Sequence, residues 1–520
     1  MERFGWGKRV YTPSIRRAKK FIPAKIVYKY PRSHITMMNR TALIRVFYAA
    51  CLGILLGLTF RLFSFSYFWL DDFNNLYWVQ KLGGTTLLWD IVNPISDRFR
   101  PVGWFAYWVL WSLFGLAPTP YHVLAWIIHG LNVFLVYILL QRMARSDYAA
   151  AFGSLLFVFQ AVYWDIYWSF GTIFELLAAF FFLLGVWIYL RQHDSIGSII
   201  VATLIYILAI KAKEMAITLP AIWFMYEVVV KQGWKRSTAD SSIEEPRGSH
   251  LYLKRLAIRF SMPILTSIWF VYLKTSTMAG MITSAPYSPD FPYYMNYDPR
   301  NLAIGFGWYL DALAGFHLHW AGWAGIAVVC AGVFLVLREG MPLFFLSYIF
   351  ICLLPVLVFP NHRVAFFWYI PFFGVSGLAA WGLKRLIGWI PTEIPPLPLK
   401  VAGALLFLAA CYLQFHWQVA RAETGIQWAM GVSEEYRSFL EGVKSLPQPR
   451  QNETVYYSAA PSYFDDATIL TATQVAFRRT DIKAQVLPVF PTEAAYRVRY
   501  ERGAVRVEKP VSSGTPSNLP

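Results

Sequence analysis

Five short clusters of ionisable residues carry the chemistry that this chain could perform. Trp69-Leu70-Asp71-Asp72-Phe73 sets two carboxylates side by side. Such a pair offers a general base or ligands for a divalent cation, and an Asp can also cap the first N–H groups of a helix. Asp72, ahead of Phe73-Asn74-Asn75-Leu76, suits that second role. Asp97-Arg98-Phe99-Arg100-Pro101 sets two guanidiniums before a proline. Their planar forks match phosphate oxygens, although arginine heads also snorkel into lipid headgroups. Asp165 and Glu175 bracket Tyr167-Trp168-Ser169-Phe170-Gly171-Thr172, and Glu175 opens an apolar run where a carboxylate must face a partner or a cavity. Lys211-Ala212-Lys213-Glu214 offers a cation to a phosphate and an acid to a hydroxyl, or simply an internal pair. Pro360-Asn361-His362-Arg363 is the last cluster, followed by Phe366-Phe367-Trp368-Tyr369. His122 and His129, seven apart, share a helix face. No further zinc ligands stand at matching spacing, so they read as satisfied helix contacts.

The elements that must position these groups follow from composition. Of 520 residues, 57% are hydrophobic and 15% charged, against roughly 45–50% and 25% in soluble domains. That excess of apolar surface must face lipid. A net charge of +17 then belongs to cytoplasmic loops and not to nucleic-acid binding. Cys51, Cys330, Cys352 and Cys411 lie in apolar runs without a short-spaced pair, which excludes a disulfide framework.

Residues 1–45 hold twelve Lys and Arg against Glu2 alone. No apolar core with a cleavage site follows, so this basic segment is expected to stay cytoplasmic and to meet anionic headgroups. A first span then runs from about Leu43 to Phe65. Further spans are expected at Tyr121–Leu140, Ala149–Tyr163, Phe170–Leu190, Ile196–Ile210, Ala216–Val230, Leu256–Leu273, Ala321–Leu337, Pro342–Phe359, Val364–Leu383 and Val401–Trp417. Basic clusters at Arg142/Arg145, Arg191, Lys231 to Arg259, Arg338 and Lys384/Arg385 mark alternate inner ends. The expectation is an all-α polytopic membrane protein of about eleven spans, N-terminus inside and C-terminus outside. Val102–Leu116 and Asn301–Phe316 would invert that register as spans, so they read as helices at the outer surface.

The domain plan is a basic segment (1–42), a membrane domain (43–417), a small extracytoplasmic α+β domain (418–508) and a disordered tail (509–520). In the third part Glu434–Leu446 reads as helix, Thr454–Ala459 and Lys483–Val489 as strands, and Ala495–Val507 as a hairpin around Arg502-Gly503. All five ionisable clusters fall in outward-facing segments. A carboxylate base and several cations beside the bilayer suit a lipid-phosphate substrate. The base would deprotonate an acceptor hydroxyl that attacks an anomeric carbon, and the cations would stabilise the departing phosphate. Neither a P-loop nor a dinucleotide fingerprint is present, which favours a lipid-carried donor over a nucleotide sugar.

With these motifs the chain resembles the GT-C superfamily of glycosyltransferases. It is most similar to the transmembrane O-mannosyltransferases that usually carry tetratricopeptide repeats, and to their bacterial relatives. The acidic pair Leu70-Asp71-Asp72-Phe73 follows the first span. Arg98-Phe99-Arg100-Pro101-Val102 opens a surface helix. Tyr121-His122-Val123-Leu124 through His129-Gly130-Leu131-Asn132 gives the His- and Asn-containing span. Trp168 to Glu175, Lys213-Glu214-Met215-Ala216-Ile217-Thr218-Leu219-Pro220, and Arg363 through Tyr369-Ile370-Pro371 complete the series.

The resemblance implies a GT-C membrane fold and a polyprenyl-phosphate sugar as co-substrate. It makes Asp71 or Asp72 the catalytic base and assigns Arg98, Arg100, Lys213 and Arg363 to the donor phosphate. Asp165, Glu175, Glu214 and His362 are then candidates for the acceptor or sugar, and a divalent cation between the carboxylates is left open. The expected partners are an acceptor protein or glycan, membrane lipid and, for the C-terminal domain, a membrane-protein partner; sparse cysteines and no targeting peptide suit a bacterial inner membrane. The chain departs from the pattern at Thr172, where an arginine would stand, and at Val364 and Ala365, where an aromatic would. No tetratricopeptide period follows the spans. Two other readings stay open: a non-catalytic subunit that kept the fold, and a transporter, although no internal repeat supports the latter.

Overall fold

The chain is described by a computed structural model over residues 34–63, 66–96, 98–191, 196–231, 249–284, 291–319, 340–389 and 396–491, with scattered positions in 322–332 and most of 494–508. The segment before residue 34, most of the expected span Ala321–Leu337 with Cys330, Arg338, Asp97, the turn Arg502-Gly503 and the tail from 509 lie outside the described residues. Residues 1–47 form one unit, whose described part is the first half of helix α1 (His34–Phe63). Tyr48–Pro520 form the other.

Among the described residues, five helices are long and apolar enough to cross a membrane. They are α5 (Pro118–Ala144), α8 (Ile173–Arg191), α11 (Ser249–Ser284), α13 (Gly340–Leu357) and α15 (Pro396–Ser445). Helices α6 (Asp147–Val158) and α9 (Ile196–Ala212) are apolar but shorter, at 12 and 17 residues. The expected span Ala149–Tyr163 thus ends early. Its last residues form a turn, Ala161–Tyr163, leading into α7 (Asp165–Trp168). Protein groups satisfy the irregular backbone there: the Ala161 N–H donates to Gln418 Oε1 at 2.8 Å, and Tyr163 OH caps the Phe157 carbonyl at 2.8 Å.

Two other expected spans are also broken. Ala216–Val230 becomes a 3₁₀ turn (Glu214–Thr218), a short α10 (Leu219–Met225) opened by Pro220, and a π turn (Tyr226–Lys231). Val364–Leu383 starts as a 3₁₀ turn, Ala365–Trp368, and becomes regular helix, α14 (Phe372–Gly388), only after Pro371.

The two expected surface helices are α4 (Pro101–Phe114) and α12 (Pro299–Ala314). Each opens on a proline, whose missing N–H is no loss at a first turn. Each closes on a glycine of positive φ, Gly115 at 56° and Gly315 at 78°. Arg421 of α15 donates to the carbonyls of Leu313 and Ala312 at 3.3 Å each, placing a cation at the negative end of α12. Helices α2 (Leu70–Leu82), α3 (Gly84–Val92) and α16 (Asp466–Phe477) had no expectation from hydropathy, because none is a long apolar run.

Helix α15 is 50 residues long, roughly 75 Å at 1.5 Å per residue. The expected span Val401–Trp417 and the expected helix Glu434–Leu446 are therefore one continuous rod. Its last turns carry a four-stranded sheet in the order β2-β1-β3-β4. β1 (Thr454–Tyr457) runs parallel to both β2 (Lys483–Val486) and β3 (Tyr496–Glu501), with α16 crossing from β1 to β2. β3 and β4 (Ala504–Glu508) form the expected antiparallel hairpin. Phe439, Leu440 and Val443 of α15 are fully buried with Val455, Ile469, Val475 and Val498.

Helices α13 and α14 approach closely at Gly374. A Cβ on Gly374 would lie 2.6 Å from Ile349 and 2.7 Å from the Phe345 carbonyl, and a main-chain oxygen cannot turn aside. Gly374→Ala should therefore destabilise the detergent-solubilised protein by about 1–3 kcal/mol, as overpacking does. An unchanged thermal midpoint would contradict this packing.

Candidate active site

The acidic pair is split by the start of α2. Trp69 precedes the first helical residue, so the cap that was expected at Asp72 does not form there. Asp72 stands instead at the third helical position and reaches back, its Oδ2 accepting the Trp69 N–H at 2.6 Å. Its Oδ1 accepts the hydroxyl of Tyr107 from α4. Asp72 is fully buried, and burial pushes its pKa up to about 7 against these two hydrogen bonds. Asp71, one position earlier, is exposed. The turn Phe170–Thr172 packs over both: a Cβ on Gly171 would lie 3.6 Å from Asp71 Cβ and 3.7 Å from Asp72 Oδ1. One carboxyl is built into the fold, and the other is exposed.

The cations converge from separate turns. Arg100 precedes α4 with φ of 51°, the left-handed region, which a residue before proline rarely occupies. Its Nε lies 3.1 Å from both carboxylate oxygens of Glu214, and a terminal nitrogen 3.0 Å from Oε2. Burial acts to raise the Glu214 pKa, but the charge and hydrogen bonds of Arg100 override it and hold Glu214 below its usual value. Lys213, at the end of α9, is buried and ion-paired with Glu175 in the first turn of α8. Its ammonium also lies 4.8 Å from the Phe367 ring centre. Burial, reinforced by Arg100, pulls Lys213 well below its ordinary pKa. His362 is lowered by burial and then by Lys213 and Arg100, so its imidazole is neutral at pH 7.

Asp71 lies in the same electrostatic neighbourhood as Arg100, Lys213 and His362. Tyr293 joins it, coupled to Arg100, Asp71 and Glu214, with its ring 4.7 Å from that of His362. Nothing around Tyr293 in the sequence marked it. Its loop is polar and aromatic without a motif, and only the fold carries it here.

Beside Arg100 a cavity of about 270 Å³ opens between residues 94–100, α9 and α11. Arg98, Arg100, Lys211 and Lys274 line it together with Ile207, Leu265 and Trp269. Arg98 is ion-paired with Asp90, which also accepts from Ser96 Oγ at 2.8 Å. Lys211 spends its three N–H bonds on the carbonyls of Asp90, Ile91 and Asn93, at 2.7, 3.1 and 2.6 Å, closing the C-terminal end of α3. Lys274, which the sequence did not single out, donates to the Arg98 carbonyl at 2.9 Å and lies 4.0 Å from the Phe99 ring centre.

Two candidates stand elsewhere. Arg363 hydrogen-bonds Asn301 Oδ1 of α12 at 3.1 Å, and its Nε has no protein partner among the described residues. Asp165 accepts Trp168 Nε1 at 3.0 Å within an aromatic group, and burial raises its pKa. His122 and His129 are bonded to the Ser66 and Val158 carbonyls at 3.0 and 2.8 Å, as satisfied helix contacts should be. Among the described residues no three His, Cys, Asp or Glu side chains come together as a metal site.

No protein-family model matches the chain. Over 152 residues, 27% of its length, it is 27% identical to protein O-mannosyl-transferase TMTC3 of Homo sapiens, and it spans only 16% of that protein. Two solved structures are similar in part. One is the Archaeoglobus fulgidus oligosaccharyltransferase tethered with an acceptor peptide containing the NVT sequon. It shares 14% identity over 86% of this chain and 64% of that one, with a TM-score of 0.41. The other is ArnT from Cupriavidus metallidurans bound to undecaprenyl phosphate, with 14% identity over 84% of this chain and 85% of that one and a TM-score of 0.43.

Asp72→Ala should cost about 1–3 kcal/mol, because it leaves the Trp69 N–H without its acceptor and takes the carboxylate from the Tyr107 hydroxyl. The pH dependence has a definite sign. Between about 4 and about 7 the folded protein keeps on Asp72 a proton that the unfolded chain has released, so this contribution to stability falls as pH rises through that window. Thermal midpoints of the wild type and Asp72→Asn, compared from pH 4 to 8, should converge in slope above pH 7. Parallel curves throughout would exclude the raised pKa.

Proposed function

We propose that this protein is a membrane glycosyltransferase that moves a sugar from a polyprenyl phosphate to an acceptor hydroxyl at the outer membrane face. The observation that carries this reading is the exposed Asp71 set against Arg100, Lys213 and neutral His362, beside a cavity with cationic and apolar walls. Asp71 is the general base and Asp72 its buried support. The donor phosphate lies near Arg100 and Lys213, with Arg98 and Lys274 at the cavity wall. Apolar side chains of α9 and α11 lead the polyprenyl tail into the bilayer. Lys213 and Arg100 gain most when an anion arrives, because each has a single carboxylate partner and Lys213 is buried.

In the reaction the acceptor oxygen bonds to the anomeric carbon as the bond from that carbon to the phosphate oxygen breaks. The hydroxyl proton passes to Asp71, and the electron pair leaves with the phosphate, whose developing charge the two cations stabilise. Glu175 and Glu214 hold Lys213 and Arg100 in place, and Arg363, bound to Asn301, stands apart from them. The accompanying topology has about eleven spans, the N-terminus in the cytoplasm and residues 418–508 outside, in a bacterial inner membrane.

A second reading, a non-catalytic subunit of the same fold, is favoured by Thr172. It stands where the family resemblance calls for an arginine, and its hydroxyl is turned to the Ser169 carbonyl at 2.8 Å.

Purified protein in liposomes, given polyprenyl-phosphate hexose and a membrane-extract acceptor, separates the two readings. Asp71→Asn should abolish transfer without loss of folding, and full turnover by that variant would sink the base assignment. Arg100→Gly keeps the left-handed backbone while deleting the guanidinium, so it should lose about 10²–10³ in rate. Arg100→Ala should lose as much and also lower stability. Retained rate in Arg100→Gly would remove Arg100 from the phosphate site.

A further inference from the structure

We infer that the acceptor is a saccharide, whose ring docks on an aromatic basin beside Asp71. This deepens the transferase reading and rests on it for the chemical step alone. Six rings from four segments meet in the basin. Trp69 stacks on Tyr436 of α15 with centres 5.5 Å apart and planes at 17°. It meets Trp168 and Trp428 edge-on at 5.4 and 5.1 Å. Trp164 stacks on Trp168 at 5.5 Å. Tyr463 closes the group, 6.0 Å from Trp69 and 5.9 Å from Trp428.

Trp168 and Tyr436 are buried and Trp69 and Trp164 half-buried, but Tyr463 is 61% and Trp428 36% exposed. Tyr463 also has φ of 67°. That region is costly for a bulky side chain, and such strain gathers at ligand clamps. The strained residue is fixed from its ring: Trp428 Nε1 donates to the Tyr463 hydroxyl at 3.2 Å. The fold thus holds a large aromatic face towards solvent at a backbone cost.

Place and charge narrow the occupant. Asp71 follows Trp69 by two residues, and the turn packed over Asp71 follows Trp168 directly. None of the cations Arg100, Lys213 or Arg363 comes from the elements that carry the rings. Carboxylates stand among them instead: Asp165 on Trp168 Nε1 at 3.0 Å, and Glu435 on the Ser462 N–H at 3.0 Å. Asp465 accepts the Thr468 N–H at 2.7 Å nearby in sequence to Tyr463. A sugar ring lays its weakly positive C–H face on the electron-rich face of an aromatic and turns its hydroxyls to carboxylates. Arg437, next to Tyr436, is ion-paired with Glu434 at 3.3 Å, and the carboxylates Asp165, Glu435 and Asp465 then disfavour a phosphorylated acceptor. The six rings come from helices and turns, so an extended peptide finds no strand edge among them for main-chain pairing. With a sugar seated there, its hydroxyl oxygen bonds to the donor's anomeric carbon, its proton goes to Asp71, and polyprenyl phosphate departs with the electron pair.

Full-length labelled protein in nanodiscs, applied to an array of neutral oligosaccharides and in parallel to a set of Ser/Thr-rich peptides, tests this directly. The wild type should bind one or more neutral oligosaccharides. Trp428→Ala and Tyr463→Ala should each weaken that binding roughly tenfold, and Trp428→Phe should largely retain it. Monodispersity and near-ultraviolet circular dichroism identify any variant that fails to fold, and Trp428→Phe then carries the comparison. No oligosaccharide bound, binding untouched by both alanine variants, or peptide binding that these variants abolish would overturn the proposal. Oligosaccharide binding without lipid-sugar turnover would support the basin and remove the transferase reading. Turnover onto peptide without oligosaccharide binding would do the reverse.

Discussion

The buried ion pair of Lys213 and Glu175 joins the end of α9 to the first turn of α8, and the geometry of the site depends on it. Both charges are almost fully covered, so neither is tolerable without the other. Deleting one partner of such a pair costs about 3–5 kcal/mol, because the survivor stays buried and unpaired. The pair also positions what surrounds it. Glu214 follows Lys213 directly and takes the guanidinium of Arg100, which brings the start of α4 to the end of α9. The aromatic turn Ala365–Trp368 supplies the ring against which Lys213 rests. Three segments far apart in sequence are thereby fixed around one cation.

The same constraint governs the other charges of this apolar chain. Lys211 is buried two residues from Lys213, yet its three hydrogens all go to carbonyls at the end of α3. Glu227, in the π turn, accepts from Tyr189 and Lys231 at 2.6 Å each and pairs with Arg259 of α11. These groups are satisfied and serve as fasteners. What distinguishes Asp71 is that its neighbour Asp72 takes the structural duty, leaving an exposed carboxylate among cations paired elsewhere.

That division explains what the sequence could and could not disclose. The long apolar helices, the two proline-opened helices α4 and α12 and the β3–β4 hairpin follow from hydropathy and turn chemistry, which are local. Five clusters were visible because ionisable groups are rare in such a chain. Which carboxylate of the pair is free was not visible, since it depends on Tyr107, 35 residues away in the chain. Tyr293 and Lys274 stayed hidden for the same reason. Arg363, grouped with His362 by adjacency, parts from it because α12 offers Asn301 to its guanidinium. Helix breaks at Val158 and Pro371 were missed because the turns beyond them are as apolar as helix, and tertiary partners satisfy their backbone.

Helix α15 ties the two halves of the site together. Its lower part is apolar enough to span a membrane, and its upper part carries the core of the sheet domain. Between the two, Gly425 lets Trp164 approach so closely that a Cβ would lie 2.7 Å from the indole. Trp428 and Tyr436 then meet Trp69 at the head of α2. A continuous helix transmits position along its length without a hinge, so the sheet domain cannot shift without moving the rings beside Asp71. The cations are set from the membrane helices and the aromatic faces from this rod. The exposed carboxylate of Asp71 sits at the head of α2, two residues after Trp69 and in the electrostatic neighbourhood of Arg100 and Lys213, which is where the proposed base would have to stand.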